Sequence, residues 1–402
     1  MVKRQIMPQS SLKIPFVSRV VQVLIFLSIG SYLHVYFMVD SQSSCNDRIK
    51  VPDLGSNIPS TTKTTPAIKS TQSYKPAAVE KYIMEHLDEF GWNVENNPVG
   101  CMIWNDPNHA LYNDLQLLMK ELDAYQNAVR NFTSIQGDLR ELKRTAIVPS
   151  KVCEKVRLSN SLINGIFLGS GQLSLSSSGF IEPLTTPMRH PRFCSDQNKL
   201  MAMDYMVHDF EAMCEKLQPH SRTIFIDMGA SLSYHDDQAN INPLLAVDEN
   251  PIEYVLNLYE KFGFHFDHIY GLEAKFSSPE DVYQKLLPEK YMASYHWINS
   301  GVQSDPTGRL NPLHSILRKY NEDDFVVIKL DIDTANIELS LARQLLEDES
   351  LSKMVDQFYF EHHVHMKEMA RIWRSAMSGS LKDTFVLFFG LRERGVPAHF
   401  WV

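Results

Sequence analysis

Runs of apolar residues that end in polar ones recur along the second half of the chain. The clearest cover 223–231 (TIFIDMGAS) and 325–333 (FVVIKLDID), and a weaker one covers 358–365 (FYFEHHVH). Buried parallel strands have this form, and open α/β sheets bind ligands beyond the carboxyl ends of their strands. The pattern therefore predicts a functional site at that edge of a sheet.

Helical patterns separate these runs, which predicts βαβ units and a mainly parallel sheet. A stripe of five apolar residues predicts a helix before the first strand, at Met203, Met206, Phe210, Met213 and Leu217. We expect strands at 223–227, 268–273, 294–298, 325–331, 355–361 and 398–402. We expect helices at 251–262, 279–287, 312–320, 335–347, 366–376 and 381–394.

The first half of the chain has a different pattern. Residues 79–145 are helical in period, and an apolar stripe runs from Leu111 to Val129. This stripe predicts either a helix packed on the body or a homodimer through helix 109–130. Segment 160–194 has neither helix period nor clear strand signals, which is typical of a binding loop or of a plain surface loop. Its candidate polar contacts are Glu182, Arg189 and His190.

The N-terminus predicts attachment to a membrane. Four basic residues and no acid lie in 1–19, and 20–39 is a run of mostly apolar residues long enough to span a bilayer. A basic start favours an uncleaved signal anchor with a cytosolic tail and a luminal body, in the Golgi or the endoplasmic reticulum. A cleaved signal or an organelle-targeting peptide is the alternative. The Ser-, Thr- and Pro-rich residues 40–78 predict a disordered stem.

Charge and cysteine content narrow the function classes. The 402 residues carry a net charge of −9, and the chain after residue 19 carries −13, from 35 basic and 48 acidic residues. An acidic body argues against nucleic-acid binding. Of the five cysteines, Cys45 lies in the stem and the other four favour two luminal disulfides, since none has the spacing of zinc ligands.

These observations predict six segments. They are a cytosolic tail (1–19), a transmembrane anchor (20–39), a stem (40–78), a helical region (79–150), a loop-rich lead-in (151–220) and an α/β domain (221–402).

Two motifs of the first βαβ unit predict a nucleoside-type ligand. Asp227-Met-Gly-Ala-Ser231 lies where the first strand turns toward its helix, and glycine there allows close approach of the backbone to a ligand. Glu273 ends the second strand, where an acid accepts hydrogen bonds from ribose hydroxyls.

Together with the Lys-Leu-Asp-Ile-Asp stretch ending at Asp333 and with Phe360-Glu-His-His363, these motifs resemble those of FkbM-type S-adenosylmethionine-dependent methyltransferases. The resemblance covers about 220–400, roughly the last 45% of the chain. It implies a Rossmann-like methyltransferase fold and O-methyl transfer to a glycan or another small-molecule hydroxyl acceptor. By matching position, Asp227, Gly229, Ala230 and Ser231 would line the methionine end of the cofactor. Glu273 would hold its ribose, and Asp331 and Asp333 would face the reacting centre.

Glu361, His363 and His365 alternate along a strand, so their side chains share one face. With Asp331 or Asp333 they can bind a divalent metal, His363 can act as a general base, or they can be structural. We take Asp331, Asp333, Glu361 and His363 as the catalytic candidates, with S-adenosylmethionine as cofactor and no residue assigned to a metal.

Two further interpretations stay open. A strand ending in Asp331-Ile-Asp333 is also typical of glycosyltransferases, which hold Mn²⁺ or Mg²⁺ on a nucleotide sugar. Alternatively, the domain is a catalytically silent binding protein. Two departures favour this interpretation. Ser233 stands where FkbM-type methyltransferases usually have a second glycine. In addition, 46 positions separate Asp227 from Glu273, whereas the corresponding residues of dinucleotide-binding folds are about 20 apart. The extra residues fall mostly in 232–250.

Overall fold

The computed structural model describes residues 73–90, 98–132, 171–185, 190–218, 220–231, 251–364 and 376–401, with residues 156, 163, 165, 166 and 373. The predicted anchor and nearly all of the predicted stem lie outside these residues. In the described part of the chain, no helix has both the length and the apolar character needed to cross a membrane.

The helical region contains α1 (Ala78–Glu85), α2 (Pro98–Asn105) and α3 (Tyr112–Asn131). The apolar stripe of α3 is buried in the same hydrophobic core as the strands of the α/β domain. α3 therefore packs on the body, the first of the two interpretations of its stripe, and a homodimer through this helix stays a prediction.

Two features of the lead-in differ from expectation. A hairpin of β1 (Ser174–Ser176) and β2 (Gly179–Ile181) lies in the segment that shows no clear strand signals. The helix expected from Met203 begins only at Phe210, as α4 (Phe210–Glu215). The reason is that side chains bind the backbone of 206–208. Gln126 and Tyr125 donate to the carbonyls of residues 206 and 208, and the amides of 207 and 208 donate to Glu182 and Tyr125.

Six parallel strands form the central sheet, which confirms the α/β class. They are β3 (Thr223–Met228), β4 (His268–Leu272), β5 (Tyr295–Ile298), β6 (Phe325–Leu330), β7 (Gln357–Phe360) and β8 (Ala398–Phe400). Their order across the sheet is β5-β4-β3-β6-β7-β8. This is the order of a doubly wound, Rossmann-like fold, in which the chain runs outward from β3 in one direction and then returns to build the other half from β6. Every predicted strand is found, with ends shifted by no more than two residues.

The described helices of this domain connect the strands. They are α5 (Pro251–Lys261), α6 (Pro312–Ser315), α7 (Ala335–Glu347), α8 (Glu349–Ser352) and α9 (Leu381–Glu393). The helix expected at 279–287 is a single α turn followed by a π turn at Val282–Leu286, and most of the helix expected at 366–376 lies outside the described residues. α9 begins at a capping box in which Ser380 and Asp383 each accept a hydrogen bond from the other's backbone N–H.

A buried ion-pair network joins the helical region to the sheet. The guanidinium of Arg392, on α9, lies 2.8 Å from Glu80 Oε1 on α1 and 3.7 Å from Glu182 Oε1, and none of its side chain is exposed. It also donates to the carbonyl of Ala398 on β8, at 2.7 and 3.0 Å. Because its guanidinium contacts α1, the lead-in and β8 at once, Arg392 holds α1 and the lead-in against one edge of the sheet.

Candidate functional site

The candidate site lies at the carboxyl edge of the sheet, where β3 and β6 lie side by side and the direction of winding reverses. Asp227 pairs in register with Gly271 on one neighbouring strand and with Lys329 on the other. The strands β3, β4, β6, β7 and β8 each continue directly into one residue of this edge, and these residues are, in that order, Gly229, Glu273, Asp331, Glu361 and Trp401. Doubly wound folds bind their ligands at this point of strand reversal.

Gly229 is required by the contact between the ends of β3 and β6. Its φ is +88°, and a Cβ atom there would lie 1.5 Å from the carbonyl oxygen of Asp331. The glycine of the Asp-x-Gly pattern therefore allows the end of β6 to approach the turn after β3.

The backbone of the turn after β3 is hydrogen-bonded within the protein. The N–H groups of Gly229 and Ala230 donate to the carbonyl of Leu272 at 2.9 and 3.0 Å, and that of Ser231 donates to Gly229 at 3.0 Å. These three residues were predicted to line the cofactor. The structure places them beside Glu273, with these amides directed to strand ends.

Lys329 is the residue at this edge whose role the sequence analysis missed. It is 5% exposed, its Nζ donates to the carbonyl of Gly229 at 2.7 Å, and it lies 3.3 Å from Asp227 Oδ1 and 3.2 Å from Asp331 Oδ2. The lysine thus links the turn after β3 to the end of β6. Its position inside the strand, two residues before Asp331, was the available signal.

The charges of Asp227, Lys329 and Asp331 depend on one another. Burial raises the pKa of Asp227 above its usual value, and the positive charge of Lys329 opposes that rise. Burial also raises the pKa of Asp331 well above the usual range, again opposed by Lys329. Burial lowers the pKa of Lys329, but the two carboxylates raise it on balance above its usual value. The lysine is therefore a fixed cation between two acids.

The four predicted catalytic residues come together. One donor atom from each of Asp331, Asp333, Glu361 and His363 lies within 4.8 Å of the other three, and we call this group the acid–histidine cluster. His363 Nε2 is 2.9 Å from Glu361 Oε2 and 3.8 Å from Asp333 Oδ1. Asp333 has a φ of +54°, a left-handed conformation that aspartate tolerates better than most residues.

Glu338, on the first turn of α7, is a second residue that the sequence analysis missed. Its Oε1 accepts from the N–H of Ile332 at 2.8 Å, and its Oε2 lies 3.8 Å from His363 Nδ1. Burial raises the pKa of Glu338 to about 7, with His363 opposing. An acid soon after Asp333 at the start of a helix was the available signal.

His363 is fully buried and stacks on Trp373, with 4.8 Å between ring centroids. Burial lowers the pKa of His363, but the hydrogen bond and charge of Glu361, with Glu338 and Asp331, raise it on balance to about 9. The surrounding acids therefore favour the protonated form of the His363 ring.

Glu273 lies apart from the cluster, at the end of β4. It is half-buried, its Oε1 accepts from the N–H of Lys275 at 2.5 Å, and Asn299 Nδ2 donates to its carbonyl at 2.8 Å. Phe276, in the same loop, is 79% exposed. The loop after β4 thus carries a half-buried carboxylate and an exposed aromatic ring.

The candidate contacts of the lead-in are structural where they are described. Glu182 accepts from the N–H of Val207 at 2.8 Å and pairs with His399 at 2.7 Å, and it is buried. His190 is also buried, with its Nε2 2.8 Å from Asp204. Arg189 and His365 lie outside the described residues.

Searches of protein-family models, of curated proteins and of solved structures found no match to this chain.

Proposed function

We propose that the chain is an S-adenosylmethionine-dependent O-methyltransferase with a Rossmann-like methyltransferase fold of the FkbM type. The observation that carries the proposal is the acid–histidine cluster, which brings all four predicted catalytic side chains together at the ends of β6 and β7, next to the point of strand reversal. The turn after Asp227 lies next to β6, and Glu273 lies further along the same edge of the sheet, at the end of β4. The sequence resemblance supports the same assignment.

The residues present fit such a cofactor best at its nucleoside end. The half-buried carboxylate of Glu273 can accept hydrogen bonds from ribose hydroxyls, and the exposed ring of Phe276 can stack on an adenine base. At the other end, Asp227 is buried and lies 3.3 Å from Lys329, and Ser231 ends the turn that follows it. Because the amides of Gly229 and Ala230 donate to β4, side chains rather than this turn's backbone would hold the ligand.

When bound, S-adenosylmethionine supplies an electrophilic methyl group. The protein must then align an acceptor oxygen and remove one proton from it. Asp333 is the most accessible carboxylate of the cluster, with 75% of its side chain exposed, and it is the candidate proton acceptor. His363 and Glu361 form the buried floor beneath it, and Lys329 holds Asp331 in position.

The acceptor is a glycan or another hydroxyl compound, and we place the body in the lumen of the secretory pathway, behind a signal anchor at 20–39. Cys101 and Cys194 form a disulfide, and Cys214 is disulfide-bonded as well. Disulfides persist in oxidising compartments. Topology is tested by the acceptor sequon Asn131-Phe-Thr133, which is glycosylated in cells only if this part is luminal.

The cofactor assignment is tested by calorimetric titration of S-adenosylmethionine into the full-length chain in detergent, without metal. Binding is expected in the micromolar range, and Glu273→Gln should weaken it about tenfold or more, because a charged hydrogen bond to the ribose is lost. The matched control is Glu280→Gln, an exposed acid in the helical turn that follows this loop, which should leave the affinity unchanged. Binding that Glu273→Gln does not weaken would remove Glu273 from the cofactor site.

A metal-dependent glycosyltransferase is the second candidate, favoured by the same cluster of three carboxylates and one histidine. It predicts that a nucleotide sugar binds only with Mn²⁺, and that S-adenosylmethionine does not bind. If a folded sample binds neither ligand, the result would instead support a catalytically silent binding protein.

A further inference from the structure

The acid–histidine cluster has the donor set and the size of a cation site. Three carboxylates and one imidazole suit a divalent ion such as Mn²⁺, which accepts both oxygen and nitrogen ligands. Cation–ligand distances of about 2.1–2.6 Å place opposite ligands about 4.2–5.2 Å apart. The four donor atoms lie within 4.8 Å of one another, so a cation fits among them with little movement.

A second observation comes from the far side of the histidine ring. His363 Nδ1 and Glu338 Oε2 are buried, lie 3.8 Å apart, and have no hydrogen-bond partner among the described residues. A histidine that ligates a metal through one nitrogen usually donates its other N–H to a carboxylate, which fixes the ring orientation. Glu338 is placed for that role, and it belongs to a different element from the four cluster residues.

Exposure shows where further ligands would bind. The side chains of His363 and Glu361 are 0% and 8% exposed, whereas that of Asp333 is 75% exposed. A cation would therefore rest on a buried floor and face solvent on the side of Asp333. Its remaining positions are open to water or to an oxygen atom of a bound compound.

We propose that the acid–histidine cluster binds one divalent cation of the Mn²⁺ type, with Glu338 as the positioning residue behind His363. The site goes beyond the proposed methyltransferase function and does not depend on it. If both hold, the cation would bind and polarise the acceptor hydroxyl, and Asp333 would accept its proton.

The test is a titration of Mn²⁺ into the full-length chain in detergent, followed by electron paramagnetic resonance and without S-adenosylmethionine. One site per chain is expected. Glu361→Gln should weaken binding at least 30-fold, since a charged ligand is lost, and Glu338→Gln about 10-fold, as for other residues that orient a metal ligand. Glu349→Gln, an exposed acid on α8, is the matched control and should leave binding unchanged.

The proposal would be overturned if no binding is seen at about 1 mM Mn²⁺. It would also be overturned if Glu361→Gln leaves binding unaltered, because the cation would then be an adventitious ion on the surface. If Glu361→Gln does not fold, judged by circular dichroism, the exposed residue Asp333 provides the substitute variant Asp333→Asn, with at least a tenfold loss expected. Because the titration contains no S-adenosylmethionine, its failure leaves the methyltransferase proposal standing. Conversely, loss of cofactor binding leaves the cation site standing.

Discussion

The close approach of β3 and β6 can be tested with one methyl group. Gly229→Ala places a Cβ 1.5 Å from the Asp331 carbonyl oxygen, whereas ordinary contact begins at about 3.4 Å. The two strand ends must therefore separate by nearly 2 Å. That movement strains the hydrogen bond from the Asp331 N–H to Met228, now 3.0 Å, and that from Lys329 Nζ to Gly229, now 2.7 Å.

The expected loss of stability has two parts. A non-glycine residue in a left-handed conformation costs about 1–2 kcal/mol. Weakening one neutral and one charged hydrogen bond adds about 2–4 kcal/mol. We therefore expect Gly229→Ala to lower the free energy of unfolding by about 3–6 kcal/mol.

Gly395→Ala is the matched control for the first part. Its φ is +90°, nearly that of Gly229, but a Cβ there would meet nothing within 4 Å. It should cost only the conformational penalty of about 1–2 kcal/mol.

The assay is urea unfolding of both variants and of the wild type, followed by tryptophan fluorescence. Trp401 is a suitable reporter, because its Nε1 donates to Asp331 Oδ2 at 3.2 Å. Equal losses in the two variants, with unchanged denaturant slopes, would refute the close contact between Gly229 and the Asp331 carbonyl.

Three further predictions use the same unfolding assay. Arg392→Met should lower the free energy of unfolding by about 3–5 kcal/mol, because two buried glutamates lose their cation. The control Arg394→Met, at an exposed arginine, should lower it by less than about 1 kcal/mol, and equal losses would contradict the ion-pair network. Burial raises the pKa of Asp209 to about 6, so the contribution of this group to stability, complete below about pH 4, should fall by about 3 kcal/mol as the pH rises past 6. The difference in stability between Asp209→Asn and the wild type should therefore change by that amount over this range, and a difference that does not vary with pH would count against it. Replacing both Cys101 and Cys194 by serine removes a disulfide between residues 93 positions apart and should lower the free energy of unfolding by about 2–5 kcal/mol. A loss below about 1 kcal/mol would contradict a stabilising role of this disulfide.

β3, β6 and β7 were predictable because each is a short apolar run that ends in polar residues. β3 and β6 are buried along their whole length, so sequence and structure agree there to within a residue. The helix expected from Met203 was wrong at its start. Its apolar spacing was helical, but the backbone there bonds to Tyr125 and Gln126, about 80 residues away. Contacts of that range leave no trace in local periodicity.

The candidate site was predictable because side chains alternate between the two faces of a strand. Residues two apart on a strand share a face, so Asp331 with Asp333 and Glu361 with His363 were expected to meet if β6 and β7 were neighbours. The position of Lys329 inside a buried strand was a signal, but its partners were not predictable, because that position gives no indication of which acids the lysine will meet. Its partners are decided by register, which places it directly beside Asp227.

Register also explains why the site has two electrostatic halves. Lys329 lies between Asp227 and Asp331, so the acids nearest β3 already have a fixed cation. On the side of β7, Glu361, Glu338 and Asp333 surround His363, whose ring carries at most one positive charge. Among the described side chains, three acids around one histidine leave an excess of negative charge in a partly buried place, and burial makes such an excess costly. Protons or a cation must offset it, and the choice between them is what the Mn²⁺ titration decides.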